Sequence, residues 1–203
     1  MDFALQEGSF PDYPPTTINY LNVIHCAHSI LEENPMLIVK DSMILIHLAK
    51  MAIIADSCRH FGTVMIPEKV FEEAVVKGKE NGHPDALVIE QTIKKDLIKV
   101  KKVMDKTKLD NLILFGLHLG EAEAVALYFQ EYAKFLGTDD DTCRRNRILL
   151  GINIIGSPAI VITLFRKGSI SLQKALDCIS TLETIGWFDI EVINEMQRQI
   201  YMR

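Results

Sequence analysis

Two clusters of acidic residues flank a short apolar run near the middle of the chain. The apolar run is 133–137, and the clusters are GEAEA at 120–124 and TDDD at 138–141. A further acid, Asp41, ends the earlier apolar run at 36–39. Carboxylates packed together repel one another, and such a cluster is tolerated mainly when divalent cations lie between its members. Because oxygen ligands alone select Mg²⁺ or Mn²⁺ rather than Zn²⁺, the acids predict a site for one of these two ions.

A site of this kind could hydrolyse a phosphodiester bond. One or two bound ions activate a water molecule and stabilise the charge that builds on the scissile phosphate, without a covalent intermediate. Taken one at a time, the acids also have structural explanations. The helix dipole favours Glu121 and Glu123 in the first turn of a helix. Asp41 and Asp139 could cap helices, and Glu73 could lie on a solvated helix face. It is the joint arrangement of the acids that favours a metal site.

Short apolar segments typical of strands alternate along the chain with segments of helical periodicity. Alternation of this kind implies crossover connections, and therefore an α/β fold with a mostly parallel central sheet between two layers of helices. In such a sheet, ligands bind beyond the carboxyl ends of the strands, which is where Asp41 and the TDDD run occur in the sequence. The predicted strands are 37–40, 63–66, 97–100, 133–137 and 153–155, and the predicted helices include 43–54, 85–95, 112–117, 171–183 and 189–201.

Length and composition narrow the class of protein. A chain of 203 residues with 48% hydrophobic residues can bury one sizeable core. Its net charge of −5 argues against a protein that coats nucleic acid non-specifically. The four cysteines are widely scattered and form no CxxC pair, so neither a zinc knuckle nor a disulfide framework is predicted. Since no apolar run reaches the roughly 18 residues of a membrane span, we expect a soluble, cytoplasmic protein without a membrane partner.

The chain divides into a short extension and one domain. Residues 1–35 are predicted to form an N-terminal extension, in which an arm broken by glycine and proline precedes an amphipathic helix that begins near Thr17. Residues 36–203 are predicted to form the catalytic domain, including the C-terminal helices. The extension is a candidate for binding a partner or for stabilising a dimer.

Four segments follow one another in a fixed order: IVKDSMILIHLAKM, VMIPEKVFEEAV, LGEAEAVAL and TDDDTCRRNRILLGINIIGSPAIVITLFRKGSIS. Together they resemble the successive signatures of PIN-domain proteins, especially the archaeal and bacterial branch related to VapC-type ribonucleases. The resemblance runs from about residue 37 to the C-terminus. It implies a metal-dependent endonuclease that cuts single-stranded RNA, built on a three-layer α/β/α sheet with acids that bind Mg²⁺ or Mn²⁺.

The resemblance also assigns individual acids. Asp41 corresponds to the acid that follows the first strand, and Glu73 corresponds to the acid of the Pro-x-x-Val-x-x-Glu helix. In the GEAEA segment, either Glu121 or Glu123 could face the metal, and Glu121 is favoured.

The TDD element supplies the remaining acids of the predicted site. Asp139 and Asp140 match this element, with Asp141 as a nearby alternative. The predicted metal ligands are Asp41, Glu121, Asp139 and Asp140, and the predicted catalytic residues are Asp41, Glu73, Glu121 and Asp140.

Residues that could bind the substrate lie close to the acids in sequence. Arg144 matches the basic residue usual in the helix after the TDD element, and Arg145 adjoins it. The family usually places a small hydroxyl residue two positions after the first Asp, where this chain has Met43, so Ser42 is the candidate to supply that hydroxyl. A lysine-rich stretch at 94–108 could also hold phosphates, or could simply be a solvated face.

The predicted partners are RNA, a second copy of the chain in a homodimer and, if the protein is a toxin, a small antitoxin protein. Two other functions stay open. The first is a PIN-like RNA-binding or assembly subunit with weak catalysis, which would bind RNA without metal. The second is a metal-dependent phosphatase or a nuclease directed at DNA, acting through the same carboxylates.

Overall fold

A parallel sheet forms the central layer of the protein in a computed structural model that describes residues 36–185 and 188–202. Its strands are β1 (Met36–Lys40), β2 (Gly62–Pro67), β3 (Ile98–Lys101), β4 (Phe135–Gly137) and β5 (Ile154–Ile155). Their order across the sheet is β3-β2-β1-β4-β5, and each neighbouring pair is parallel. The predicted α/β/α fold is confirmed, with a sheet that is parallel throughout. The predicted extension, 1–35, lies outside the described residues.

Helices connect the strands and cover both faces of the sheet. They are α1 (Ser42–Lys50), α2 (Ile54–Phe61), α3 (Glu68–Phe71), α4 (Gly78–Glu80), α5 (Pro84–Lys94), α6 (Lys106–Leu114), α7 (Leu119–Gln130), α8 (Asp141–Arg145), α9 (Arg147–Leu150), α10 (Ser157–Arg166), α11 (Leu172–Ile185) and α12 (Ile190–Tyr201). A π-helical segment, Glu72–Lys77, joins α3 to α4 without a break. None of the helices within the described ranges combines the length and the apolar character needed to span a bilayer.

Two apolar clusters hold the three layers together. Successive side chains of a strand point to opposite faces, so Ile38 enters the larger cluster and Val39 enters the smaller one. The larger cluster joins the sheet to α1, α2 and α10–α12, and the smaller one joins the other face to α7. The uniformly apolar sequence of β1 suits a central strand that is buried on both faces.

The strand order reverses between β1 and β4. From β1 the chain builds outward through β2 to β3, and it then returns to place β4 on the other side of β1. Such a reversal leaves a crevice beyond the carboxyl ends of the two strands. Asp41 directly follows β1, and the TDDD run directly follows β4. The topology therefore brings the two acidic segments to one edge of the sheet.

Two predicted helices have different bounds in the structure. The predicted helix 43–54 ends at Lys50, because Ala52 takes a left-handed conformation with φ +51°, and α2, which was not predicted, begins at Ile54. The predicted helix 112–117 instead begins near Asp105, whose carboxylate accepts a hydrogen bond from the Lys108 amide at 2.9 Å. The apolar spacing did not reveal this N-cap or the turn at Ala52.

A lysine is fully buried at the end of the central strand. Lys40 is 0% exposed, and its Nζ donates a hydrogen bond to Ser57 Oγ at 2.7 Å. Burial lowers the pKa of Lys40, because the charged ammonium loses its hydration, while Cys58 acts in the opposite direction. Burying Lys40 in its charged form therefore lowers the stability of the folded protein.

We expect the double variant Lys40→Met with Ser57→Ala to be more stable than the native protein at pH 7, by roughly 1–3 kcal/mol. The second substitution removes the hydroxyl that would otherwise lose its partner. The lowered pKa means that the unfolded chain binds the Lys40 proton more tightly, so the contribution of Lys40 to native stability rises with pH up to its ordinary pKa of 10.5. The gain of the variant should shrink over that range. Denaturant unfolding from pH 6 to 10 measures it.

The exposed Lys50 at the end of α1 supplies a matched control. Lys50→Met should leave both the stability and its pH dependence unchanged. A double variant that is less stable than native at every pH would show that the hydrogen bond to Ser57 outweighs the cost of burial.

Candidate active site

The hydroxyl of Thr138 connects the acids that follow β1 and β4. It donates a hydrogen bond to Asp41 Oδ2 and accepts one from the Asp140 amide at 3.0 Å. The backbone reinforces this link, since the Asp41 amide donates to the Gly137 carbonyl at 3.0 Å. Asp41 and Asp140, which are far apart in sequence, are thus held on the two sides of one buried hydroxyl.

Asp41 is buried at the start of α1, where it is 4% exposed. Its Oδ1 accepts a hydrogen bond from the Ile44 amide at 2.9 Å, which makes it the N-cap of this helix. Burial raises the pKa of Asp41 to about 8, and the charges of Asp139 and Asp140 act in the same direction, against the hydrogen bonds from Ile44 and Thr138. The protein alone therefore does not fully stabilise a negative charge on Asp41, and a bound cation would stabilise it.

Glu121 approaches the same cluster from the first turn of α7. Its carboxylate accepts a hydrogen bond from the His118 amide at 3.0 Å. Burial raises the pKa of Glu121, and the nearby negative charge of Asp140 raises it further. Asp140 in turn caps α8, accepting a hydrogen bond from the Cys143 amide at 2.7 Å. Asp41, Glu121 and Asp140 are therefore close enough to interact electrostatically.

Glu73 reaches the site from the π-helical segment Glu72–Lys77. Its Oε2 accepts a hydrogen bond from Ser42 Oγ at 3.2 Å. It also lies against Gly120 in the first turn of α7, where a Cβ would be 2.5 Å from Glu73 Oε2. Only glycine permits this approach without a shift. π-Helical turns occur frequently at functional sites, where they redirect side chains.

The two alternative acids have structural partners. Glu123 accepts a hydrogen bond from the Lys69 amide at 3.0 Å and so occupies the N-terminal end of α3. Asp141 pairs with Arg144 and, at 3.1 Å, with Arg145. Residues two apart on a helix point in nearly opposite directions, which is why Glu121 faces Asp140 while Glu123 does not.

Asp139 contacts a different set of residues. Its Oδ1 accepts a hydrogen bond from the Ser157 amide at 2.8 Å, and its Oδ2 accepts one from the Ser157 hydroxyl and lies 2.7 Å from His47 Nδ1. His47 is not among the site residues predicted from the sequence. The available signal was a single histidine in the otherwise apolar segment ILIHLA, a pattern that does not specify a partner.

The candidate substrate-binding residues differ in their accessibility. Ser42 is half-buried and bonded to Glu73. Arg144 is 4% exposed, whereas the side chain of Arg145 is 60% exposed. Met43, at the position where the family usually has a hydroxyl, is exposed on α1. Of the two arginines, Arg145 is therefore the one that a phosphate can reach directly.

The lysine-rich stretch lies toward the far end of α7 from Glu121. Gln130, the last residue of α7, donates a hydrogen bond to the Lys102 carbonyl at 3.1 Å. Lys108 Nζ lies 3.6 Å from the ring centroid of Phe129. Since α7 rises about 1.5 Å per residue, these contacts are roughly 12 Å along the helix from Glu121. Lys108 therefore does not join the acidic cluster.

The acids fit Mg²⁺ or Mn²⁺ by their chemistry, because they offer oxygen ligands and each carboxylate has about four lone-pair sites, only some of which accept protein hydrogen bonds. Within 36–185 and 188–202, however, no three His, Cys, Asp or Glu side chains form a group that could hold a metal ion. Shared coordination by Asp41, Glu121 and Asp140 therefore requires some side-chain rotation.

Comparison with models of protein families matches residues 37–200 to a model described as a PIN domain. This range covers most of the chain and includes all of the predicted site residues. Comparison with curated proteins finds no match.

We expect stability without divalent metal to fall as the pH rises from 5 to 8. The pKa of Asp41 is raised from 3.8 to about 8, so in this window the folded protein binds more protons than the unfolded chain, and each pH unit costs up to about 1.4 kcal/mol. Asp41→Asn should remove most of this dependence. Denaturant unfolding in chelator at several pH values tests it.

Asp110→Asn, at an exposed position of α6, is the matched control and should behave as native. An equal loss of stability between pH 5 and 8 in Asp41→Asn and in the native protein would show that another group causes the dependence.

Gly120→Ala should destabilise the protein by less than about 1 kcal/mol, because its Cβ would displace only the flexible end of the Glu73 side chain and alanine itself favours the helix. In a Glu73→Ala background the same change should be neutral or slightly stabilising, since alanine is the better helix former. Free energies of unfolding for the four proteins of this double-mutant cycle provide the measurement. Equal costs in both backgrounds would mean that Gly120 is required for another reason.

Proposed function

The chain belongs to the PIN-domain family, and on that premise we propose that it is a metal-dependent endoribonuclease that hydrolyses phosphodiester bonds of single-stranded RNA. PIN domains are typically nucleases. The observation that carries the proposal is the link between Asp41 and Asp140 through the Thr138 hydroxyl, with Glu121 beside them, at the carboxyl ends of β1 and β4.

PIN domains generally use divalent metal ions. Asp41, Glu121 and Asp140 would hold Mg²⁺ or Mn²⁺, because the charge of Asp140 acts on both of the other acids and Thr138 connects Asp140 to Asp41. When bound, such an ion activates water and stabilises charge on the scissile phosphate. The uncompensated burial of Asp41 supports this assignment, since a cation would relieve it.

Glu73 is proposed to orient the attacking water. Ser42 donates to Glu73 Oε2 and Gly120 lies against the same carboxylate, so its position is well defined. Oε1 keeps its acceptor capacity for a water molecule. Ser42 thus acts on the substrate through Glu73, and its hydroxyl serves in place of the one missing at Met43.

Arg145 is proposed to bind a phosphate of the RNA. Its guanidinium is largely exposed beside the TDDD run, and its partner Asp141 holds it there. Arg144, bonded to the same carboxylate, fixes Asp141 from the buried side. Binding through such a contact weakens as salt concentration rises.

The finer biological assignments follow from the resemblance in sequence. The four PIN-like segments support placing the chain in the VapC-like branch. We therefore propose a cytoplasmic homodimer that acts as a toxin and is held in check by a small antitoxin protein.

A second candidate function is a PIN-like RNA-binding or assembly subunit with weak catalysis. The observation that favours it is the lack of a ready-made group of three metal-binding side chains within 36–185 and 188–202. Such a subunit would bind RNA equally well with metal and with chelator.

Cleavage of a mixed-sequence single-stranded RNA should require Mn²⁺ or Mg²⁺ and should stop in chelator. Asp41→Asn and Asp140→Asn should each lower the rate more than about 100-fold, because each removes a proposed metal ligand. Asp110→Asn is the matched control and should cleave at the native rate. Parallel assays with single-stranded DNA and with a phosphomonoester would identify a DNA-directed nuclease or a phosphatase.

Metal-independent RNA binding without cleavage by well-folded native protein would favour the second candidate. Cleavage that continues in both Asn variants would point to a contaminating nuclease.

A further inference from the structure

The carboxylate of Asp139 is enclosed between α1 and α10. Its side chain is 1% exposed, and the side chain of His47 is 6% exposed. Ser157, the first residue of α10, donates both its amide, at 2.8 Å, and its hydroxyl. His47, on α1, places Nδ1 2.7 Å from Asp139 Oδ2. Asp139 is thus bonded to two helices that are far apart in sequence.

Asp139 and its neighbour Asp140 face different parts of the protein. Successive side chains of an extended segment point to opposite sides. Asp140 lies near Glu121 and caps α8. The thiol of Cys143 lies on the same side as Asp140. Burial raises the pKa of this thiol, and the negative charges of Asp140, Asp41 and Glu121 raise it further. Asp139 instead bonds to His47 and Ser157, and its negative charge also raises the pKa of Asp41.

We propose that Asp139, His47 and Ser157 form a buried clamp that positions the metal-binding acids and is not itself a metal site. This inference rests on the function proposed above and names further positioning residues for it. The clamp is defined by these three residues.

The clamp fixes α1 at a second point. At its first point, Asp41 caps α1 and bonds to Thr138. His47 lies six residues later, roughly 9 Å along the helix, and bonds to the residue that follows Thr138. Two points of attachment set the direction of a helix as well as its position. The separation between Asp41 and Asp140 therefore depends on both points of attachment.

The environment of His47 suits a fixed donor. Its ring makes an edge contact with Phe188, with centroids 5.8 Å apart and planes at 61°. The clamp needs an N–H at the Nδ1 position. Asparagine can present its amide N–H near that point, whereas leucine fills similar space without a donor.

Mn²⁺ titration by calorimetry distinguishes a clamp residue from a ligand. Asp140→Asn should weaken Mn²⁺ binding more than about 10-fold. Asp139→Asn should keep the affinity within about 3-fold, because its oxygen still accepts from the Ser157 amide and its NH₂ can bond to His47 Nδ1 in the other tautomer. Equal loss of Mn²⁺ affinity in both variants would overturn the proposal and make Asp139 a ligand.

The positioning role is tested at His47. His47→Leu should weaken Mn²⁺ binding and slow RNA cleavage about 10-fold or more at a temperature where circular dichroism shows it folded. His47→Asn, which keeps a donor, should recover most of both. Equal Mn²⁺ affinity and cleavage in these two variants would overturn the proposal, because a purely structural role does not distinguish a donor from an apolar side chain.

The two readouts separate the clamp from the proposed function. If native protein binds Mn²⁺ and the variants differ as expected, but no RNA is cut, the ribonuclease proposal fails and the clamp stands. If well-folded native protein binds no Mn²⁺, the clamp has no metal site to position and is overturned as well.

Discussion

The burial of negative charge at the junction of β1 and β4 is the constraint on which this site depends. A carboxylate removed from water is costly unless hydrogen bonds or a cation stabilise it. Asp41 receives hydrogen bonds from the Ile44 amide and from Thr138, and Asp140 receives one from the Cys143 amide. Both acids also lie at helix N-termini, where the backbone favours negative charge. These interactions offset the cost only in part, since burial still raises the pKa of Asp41 to about 8.

The fold provides this junction through its core. The apolar strands β1 and β4 pair side by side in the sheet, and the reversal of strand order leaves a crevice beyond their carboxyl ends. The helix that carries Glu121 packs closely because its buried residues include Gly120 and small alanines. Gly120 also leaves room for Glu73, which the π-helical segment brings from the other side of β1. Packing in the core and acid placement are therefore coupled.

The acids divide by what they contact. The charge of Asp140 acts on Asp41 and on Glu121, and all three acids act on Cys143. Glu123 and Asp139 accept hydrogen bonds from backbone amides of neighbouring helices, and the charge of Asp139 also acts on Asp41. This acid-rich segment thus contains residues with different contacts. Some concentrate negative charge at the carboxyl ends of β1 and β4, and others accept hydrogen bonds that hold helices in place.

The sequence by itself determined the fold class and the edge of the sheet where the acids meet, because both depend on local patterns: apolar strands, helical periodicity, and acids directly after strands. Tertiary structure decided which acids face one another. Glu121 and Glu123 fit one pattern equally, and only the rotation of α7 against its neighbours separates them. The contact between His47 and Asp139 spans 92 residues, and no local preference specifies it. Such contacts depend on how whole helices pack on the sheet. The sequence neighbours of His47 and Asp139 do not determine that packing.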